Sequence, residues 1–183
     1  MLPRLEYCNI LTSPYKLGEI NDLESVQRNF TSHINSVKPL HYWDRLKSLK
    51  LYSLERRRER YLIIYTWKIA EGFVPNLHTP ITMKFNDRRG WECDIPKMIN
   101  RGAMGSLREG WLSHRGTCLF NKLPRRVRDM RGVSLDSFKR ALDVELQKVP
   151  DEPIFTRVRS TSSNSLLHQF SNNNEGRCAL RCH

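Results

Sequence analysis

The stretch YSLERRRERYLIIYTWKI, residues Tyr52–Ile69, decides the fold because it joins four arginines within five residues to an apolar block. Ser53 is suited to cap a helix, since a serine oxygen can accept a hydrogen bond from a free backbone N–H group. Glu55 falls in the first turn, where a negative charge stabilises the helix dipole. Gly72 is the expected stop. The stretch therefore predicts one long helix over residues 53–71.

The arginine cluster has two interpretations at this point. On a helix Arg56 and Arg60 share a face, whereas Arg57 and Arg58 point elsewhere, so the cluster surrounds the first turns. In one interpretation the arginines form ordinary exposed pairs with neighbouring glutamates, each contributing about 0.2–0.5 kcal/mol. In the other they form a surface that binds a polyanion.

The charge of the whole chain favours the second interpretation. The 183 residues carry a formal net charge of +12, which suits polyanionic partners, nucleic acid first and an anionic membrane surface second. Residues 44–68 hold eight basic and three acidic side chains, for +5, and residues 97–131 hold nine and two, for +7. Two separate accumulations are more than one solvated helix end explains.

Apolar residues at spacings of three and four predict further helices. Residues 19–35 show this pattern, residues 42–50 form a shorter one, and Ser134 is expected to cap a last helix. Short strands are predicted at 91–95 and 117–120, within a region punctuated by glycines. The predicted fold class is mostly α, with a loop-rich segment that holds a few short strands.

Composition divides the chain into three parts. Residues 1–75 are predicted to be helical, and residues 76–153 to form a loop-rich basic segment that ends in a helix. Residues 154–183 are rich in Ser, Asn and Arg and have little to bury, so they are predicted to be a disordered tail.

Motifs that would indicate catalysis are scarce in this sequence. There is no P-loop lysine pattern and there are no two adjacent aspartates that could begin a two-metal site. Cys178, Cys182 and His183, with His168 upstream, are a weak candidate zinc set, because structural zinc sites prefer closely paired ligands. Free thiols in a disordered terminus are the favoured interpretation. We predict no catalytic residue, no metal ion and no cofactor.

The cysteines and the hydropathy indicate the compartment. Five scattered cysteines, an odd number with no signal peptide before them, predict reduced thiols in an intracellular protein, with the nucleus as one option, and not a secreted one. The longest apolar run, Leu62 to Trp67, is far shorter than the roughly 20 residues that a spanning helix needs. No membrane partner is therefore predicted.

Several blocks of this sequence, taken in order, resemble the C-terminal part of reverse transcriptases from non-LTR (LINE, jockey-like) retrotransposons. They include LEY at 5–7, LESVQRNFT at 23–31, LYSLERR at 51–57, FNKLP at 120–124 and SLDSFK at 134–139. The resemblance covers about residues 3–153. Trp111 departs from it, since the family commonly has a smaller hydroxylic residue there followed by Phe.

The resemblance implies a role in holding nucleic acid. In such polymerases the palm carries the metal-binding aspartates in a Tyr/Phe-x-Asp-Asp turn and lies upstream of this stretch. No catalytic residue of the family therefore maps onto this chain. The resemblance implies a helical thumb-like region over 1–75 and the segment beyond it. Such a region would hold a primer-template duplex by its backbone, beside the palm domain of a full-length relative.

We therefore predict RNA or DNA as the partner, contacted through phosphates without reading of sequence. The predicted nucleic-acid-binding residues are Arg56, Arg57, Arg58, Arg60, Lys122, Arg125, Arg126 and Arg128. The candidates for stacking on unpaired bases are Tyr42, Trp43, Tyr52, Tyr61 and Trp111, although core packing is the favoured interpretation of Trp43 and Tyr61. Two alternatives stay open: a protein-interaction module that exposes the apolar faces of helices 19–35 and 53–71, or a fragment that does not fold stably.

Overall fold

The computed structural model of the chain describes residue 14 and residues 17–75, 81–95, 112–152 and 165–173. Helices dominate these ranges, and the strands form one two-stranded sheet. The predicted mostly α fold class is confirmed. Among the residues singled out from the sequence, Trp111, Cys178, Cys182 and His183 lie outside the described residues, as does the side chain of His168.

Three helices form the first part of the fold. They are α1, Leu17–Ser32, α2, Tyr42–Ser48, and α3, Leu54–Ala70. The capping of α3 by Ser53 is confirmed, because the Ser53 Oγ accepts a hydrogen bond from the Arg56 N–H group at 3.1 Å. Gly72 follows the helix with a φ of +78°, a conformation that glycine adopts without a steric penalty. The arginine stretch thus starts and stops where its sequence predicts.

A β-hairpin follows these helices. Strand β1, Met83–Asn86, pairs antiparallel with β2, Gly90–Cys93, so the strand predicted at 91–95 is observed over its first three residues. Phe85 lies opposite Trp91, and their ring centroids are 5.5 Å apart. Gly90 has a φ of +78°, and a Cβ atom on it would meet the carboxylate of Asp129. The turn therefore needs glycine both for its backbone conformation and for this close approach.

The next part of the chain is helical. A π-helical turn, Leu112–Gly116, runs into α4, Thr117–Lys122, which is followed by α5, Arg125–Arg128, and α6, Leu135–Leu146. Ser134 caps α6 as predicted, since its Oγ accepts a hydrogen bond from the Ser137 N–H group at 3.2 Å. The strand predicted at 117–120 is wrong, because these residues belong to α4. Leu119 and Phe120 are fully buried there, and tertiary packing overrides a strand propensity that is weak in itself.

Part of the C-terminal region also differs from its prediction. Residues expected to lie in a disordered tail form helix α7, Leu166–Asn173. Leu166 is fully buried and Phe170 nearly so, and both join the main core. These two residues lie four apart and so share a helix face. The Ser- and Asn-rich composition of the surrounding chain conceals this single apolar pair.

The core is centred on Trp67 of α3. Its ring stacks on Phe138 of α6 with a centroid distance of 4.5 Å and an interplanar angle of 8°. Its indole N–H group donates to the backbone oxygen of Met130 at 2.9 Å. The core contains residues from both sides of the boundaries predicted at 75 and 153, including Ile63, Leu119 and Phe170. The three-part division therefore stays a prediction from composition.

Removing the ring of Phe138 should destabilise the fold strongly. Phe138→Ala leaves a cavity against Trp67, and we expect it to lower the free energy of unfolding by about 3–5 kcal/mol. Val144→Ala on the same helix is the matched control, because Val144 is 53% exposed, and its effect should stay within about 0.5 kcal/mol. Urea unfolding followed by circular dichroism measures both. Equal midpoints for the two variants would contradict this position of the core.

Candidate nucleic-acid interface

Arg56, the first arginine of the cluster, lies in the interior. Its side chain is fully buried, and its guanidinium donates to the backbone oxygens of Val149 at 3.4 Å and Pro150 at 2.9 Å. It also donates to the side-chain oxygen of Gln169 on α7, and its Nε lies 3.7 Å from Asp151. Burial lowers the pKa of the Arg56 guanidinium, while the Asp151 charge opposes that shift. Arg56 thus links α3 to the chain on both sides of residue 153.

Glu59, in the middle of the same cluster, makes a second such link. It is 1% exposed. Its carboxylate accepts hydrogen bonds from the Leu166 N–H group at 2.7 Å and from the Ser165 hydroxyl, and it pairs with Arg115 at 2.9 Å. A carboxylate that receives the N–H group of a first helical residue stabilises the start of that helix. Glu59 therefore fixes the N-terminus of α7.

The other arginines of the cluster are also engaged or covered. Arg60 donates through Nε and Nη2 to the two carboxylate oxygens of Asp143 on α6, at 2.6 and 2.8 Å. This bidentate geometry is the strongest form of an arginine–carboxylate pair. Arg58 is buried and Arg57 is half-buried. Most of the predicted binding surface on α3 is therefore directed into the fold.

The second basic segment is divided between interior and surface. Arg128 is 7% exposed, and it donates to the backbone oxygen of Asn121 at 2.6 Å and to that of Arg89. Lys122 is half-buried. Arg125 and Arg126 are exposed, with 53% and 61% of their side chains open to solvent. Of the eight predicted binding residues, these two are the most accessible.

The hairpin turn brings two further arginines to the same region. Arg88 and Arg89 are exposed, and the Arg89 backbone oxygen receives the Arg128 guanidinium of α5. On the other side of the turn the Trp91 N–H group donates to Asp129 at 2.9 Å. We call the exposed group Arg88, Arg89, Arg125 and Arg126 the hairpin–α5 surface. Arg88 and Arg89 are not among the eight binding residues predicted from the sequence, because no hairpin was predicted there.

The arginines of α3 and those of α5 contact different sides of α6. Arg60 reaches α6 at Asp143, and Arg126 reaches it at Glu145. Because two residues turn an α-helix by about 200°, Asp143 and Glu145 point to nearly opposite sides of α6, and the two arginines approach it from different sides. The cluster on α3 and the hairpin–α5 surface are therefore distinct features of the molecule.

A second candidate region lies between α1 and α2. Arg28, Leu40, His41, Tyr42, Trp43 and Arg45 line an open groove with a volume of about 500 Å³. We call this the α1–α2 groove. The guanidinium carbons of Arg28 and Arg45 lie 4.9 and 5.8 Å from the centroid of the Tyr42 ring, within the range of cation–π attraction. The sequence HYWDR at 41–45 is the signal that could have located it, since it places cations and aromatic rings side by side.

Glu24 supports the groove from below. Its carboxylate accepts hydrogen bonds from the hydroxyl of Tyr42 and from the Leu54 N–H group at 3.0 Å. Burial raises the pKa of Glu24 above its ordinary value, and these two hydrogen bonds partly oppose the shift. Burial and the Glu24 charge also raise the pKa of Tyr42. The aromatic floor of the groove is thus fixed to α1 and to the start of α3.

Two further properties concern catalysis and membranes. Across the residues that the structure describes, no three His, Cys, Asp or Glu side chains come together in a way that could hold a metal ion. Within the same ranges, no helix combines the length and the apolar character needed to cross a bilayer.

The contacts of Arg56 predict that its role in stability is large. Arg56→Met keeps the apolar stem but leaves the oxygens of Val149 and Pro150 and the Asp151 carboxylate with fewer donors, so we expect a loss of about 3 kcal/mol or more. Arg125→Met removes an equal charge at the surface and should cost less than about 1 kcal/mol. Chemical denaturation compares the two. A similar small loss for both would show that the buried contacts of Arg56 contribute little.

The raised pKa of Glu24 predicts a pH dependence of stability. Just above pH 4.5, the ordinary pKa of glutamate, the folded state keeps a proton on Glu24 that the unfolded state releases. The stabilisation from this proton is complete below pH 4.5 and is lost as the pH rises through the raised pKa. The stability advantage of wild type over Glu24→Gln should therefore shrink across this range in urea titrations.

The matched control for this pH series is Glu19→Gln, an exposed position on the same helix. The difference in free energy of unfolding between Glu19→Gln and wild type should change less with pH than the difference between Glu24→Gln and wild type. An advantage over Glu24→Gln that grows with rising pH would contradict the predicted sign.

Comparisons with known proteins do not assign this chain to a family. No protein-family model matches this chain, and neither a curated protein nor a solved structure is significantly similar to it.

Proposed function

We propose that this chain binds RNA or DNA through the phosphate backbone, without reading sequence, in the manner of the thumb-like part of a non-LTR reverse transcriptase that its sequence resembles. The hairpin–α5 surface is the proposed contact. The observation that carries this proposal is the high exposure of Arg125 and Arg126 within a chain of net charge +12. No catalytic role is proposed for the chain.

The geometry of these arginines supports binding to phosphate. Arg125 uses its Nε for Asp129, and Arg126 uses one terminal nitrogen for Glu145. A guanidinium has five N–H donors in a planar fork, so each side chain keeps donors that a phosphate can accept. The Arg125–Asp129 pair is partly open to solvent, and exposed pairs contribute about 0–1 kcal/mol, so exchanging this carboxylate for a phosphate costs little. Glu145 is buried, but Lys148 also pairs with it at 3.0 Å, so Glu145 keeps a cationic partner when Arg126 binds a phosphate. Counterion release from the nucleic acid then favours binding.

The resemblance supports the same class of partner. A thumb-like region holds a duplex by its backbone, and such contacts need exposed cations rather than a shaped pocket. Arg88 and Arg89 extend the two arginines of α5 along the hairpin turn. The buried arginines of α3 serve this function indirectly, because they hold together the helices on which the surface is built.

The protein-interaction alternative receives less support. It requires uncovered apolar faces on the helices predicted at 19–35 and 53–71. Eleven of the seventeen residues of α3 are buried, and Phe30 is the large apolar side chain that α1 exposes among its described residues. The large apolar side chains that the described residues do expose, such as Phe30, Phe73 and Val144, belong to different elements. Scattered exposed apolar residues are usual on soluble proteins and do not indicate an interface.

The test is fluorescence anisotropy of the full chain with a short RNA–DNA hybrid over a salt series. We expect the affinity to fall steeply between about 50 and 200 mM salt. Arg125→Gln/Arg126→Gln should weaken binding and reduce the magnitude of the salt slope by about one to two, because each lost phosphate contact removes nearly one unit.

The matched control is Lys139→Gln/Arg140→Gln on α6, which removes the same charge from a different surface. It should change the affinity and the slope by much less. Equal losses in both double variants would show that net charge, and not the hairpin–α5 surface, determines binding. Absence of any salt-dependent binding by a folded wild-type chain would overturn the proposed function.

A further inference from the structure

We propose that the α1–α2 groove is a binding site for one unpaired nucleotide of a single-stranded nucleic acid. The base would stack on Trp43, and the phosphate would bind Arg28 and Arg45. As a contact for a nucleic acid this inference rests on the proposed function, but the groove has its own chemistry and can be tested separately.

Aromatic and aliphatic side chains form part of the lining of the groove. Trp43 is half-buried, and its ring lies 4.9 Å from that of Tyr42 with an interplanar angle of 59°. Leu40, 42% exposed, lies on the rim. A base stacked on an aromatic side chain gains affinity without selecting a sequence, because every base has a π face. This property matches a partner that is bound through its backbone.

The groove brings together two arginines for which the described residues supply no carboxylate. Arg45 is 8% exposed, and its Nε is buried without a hydrogen-bond acceptor. Arg28 is exposed. Among the described residues, neither arginine has a carboxylate within ion-pair distance, whereas Arg60, Arg115, Arg125, Arg126 and Arg131 all have one. Two arginines that approach one ring with no acidic partner among the described residues, one of them buried, favour an anion from outside the chain.

The combination of features defines the class of ligand. A ligand that fits both the aromatic lining and the two arginines carries a flat ring and a negative charge close together, as a nucleotide does. The volume of about 500 Å³ lies within the range of small-molecule sites. A base that is paired and stacked inside a duplex cannot present its face to Trp43, so the groove should prefer a single strand.

The first experiment uses the full chain labelled with 5-fluorotryptophan. It contains four tryptophans, and the Trp43→Phe variant assigns the ¹⁹F resonance of Trp43. We expect adenosine 5′-monophosphate to shift this resonance in a saturable way. Adenosine, which lacks the phosphate, should bind about tenfold more weakly. Inorganic phosphate, which lacks the ring, should leave the resonance in place.

Variants locate the charge that this binding requires. Arg28→Gln removes an exposed side chain, so the fold should be retained, and we expect it to weaken binding of adenosine 5′-monophosphate by about fivefold or more. Arg45→Met removes the buried guanidinium, and circular dichroism checks its fold. Arg140→Gln is the matched control, because it removes an exposed arginine that also has no acidic partner among the described residues. It should stay within about twofold of wild type.

A second measurement connects the groove with nucleic acid. Trp43→Leu should weaken binding of a fluorescent single-stranded oligonucleotide by about tenfold and leave binding of the RNA–DNA hybrid nearly unchanged. Arg125→Gln/Arg126→Gln should weaken both. Equal losses of both ligands in Trp43→Leu, in a chain that stays folded, would overturn the single-strand assignment.

The outcomes separate this inference from the proposed function. If neither adenosine 5′-monophosphate nor the single strand shifts the Trp43 resonance, the groove is not a nucleotide site, whatever the hybrid does. If the nucleotide binds and Arg28→Gln weakens it, while the hybrid shows no salt-dependent binding, the site stands and the proposed function is wrong. A shift that survives unchanged in folded Arg28→Gln and Arg45→Met chains also overturns the assignment.

Discussion

Burial of the Arg56 charge is the constraint on which the rest of the structure depends. A buried guanidinium is costly unless acceptors surround it, and here the acceptors come from the 149–151 segment and from α7. These segments must converge on the first turns of α3 for the charge to be satisfied. Glu59 and Arg60, one turn further along, then fix the start of α7 and one side of α6. The arginine-rich stretch therefore organises distant parts of the chain instead of facing solvent.

A high net charge is thus a poor guide to where a protein binds. Arg56 and Arg128 donate hydrogen bonds mainly to oxygens inside the fold, and their ion-pair partners, Asp151 and Glu92, lie 3.7 and 3.8 Å away. Such arginines contribute to the long-range field that attracts a polyanion, yet their donors cannot reach it. Direct contact depends on the fewer cations whose donors stay in solvent, such as Arg125 and Arg126. Attraction and contact are therefore properties of different residues in this chain.

Local signals in the sequence predicted those parts of the fold that local chemistry determines. The caps at Ser53 and Ser134 and the stop at Gly72 are examples. The helix at 117–120 and α7 were missed because burial against distant residues decides them. Whether each arginine is buried or exposed could not be inferred locally either. The spacing of an arginine to Glu55 or Glu59 is the same in an exposed ion pair as in a buried network. The HYWDR signal was available, but the approach of Arg28 from α1 depends on tertiary packing.

Two aromatic sites of the molecule show what separates a structural cation from a binding one. Arg131 lies 4.5 Å above the Trp91 ring, and it also pairs with Glu71. The chain itself supplies both the ring and the counter-charge there, so the interaction is complete without a ligand. In the α1–α2 groove the ring is Tyr42, but the carboxylate of Glu24 is engaged by the Tyr42 hydroxyl and the start of α3. The described residues supply no carboxylate within ion-pair distance of Arg28 or Arg45, and a nucleotide phosphate is an anion that brings its own flat ring to the site.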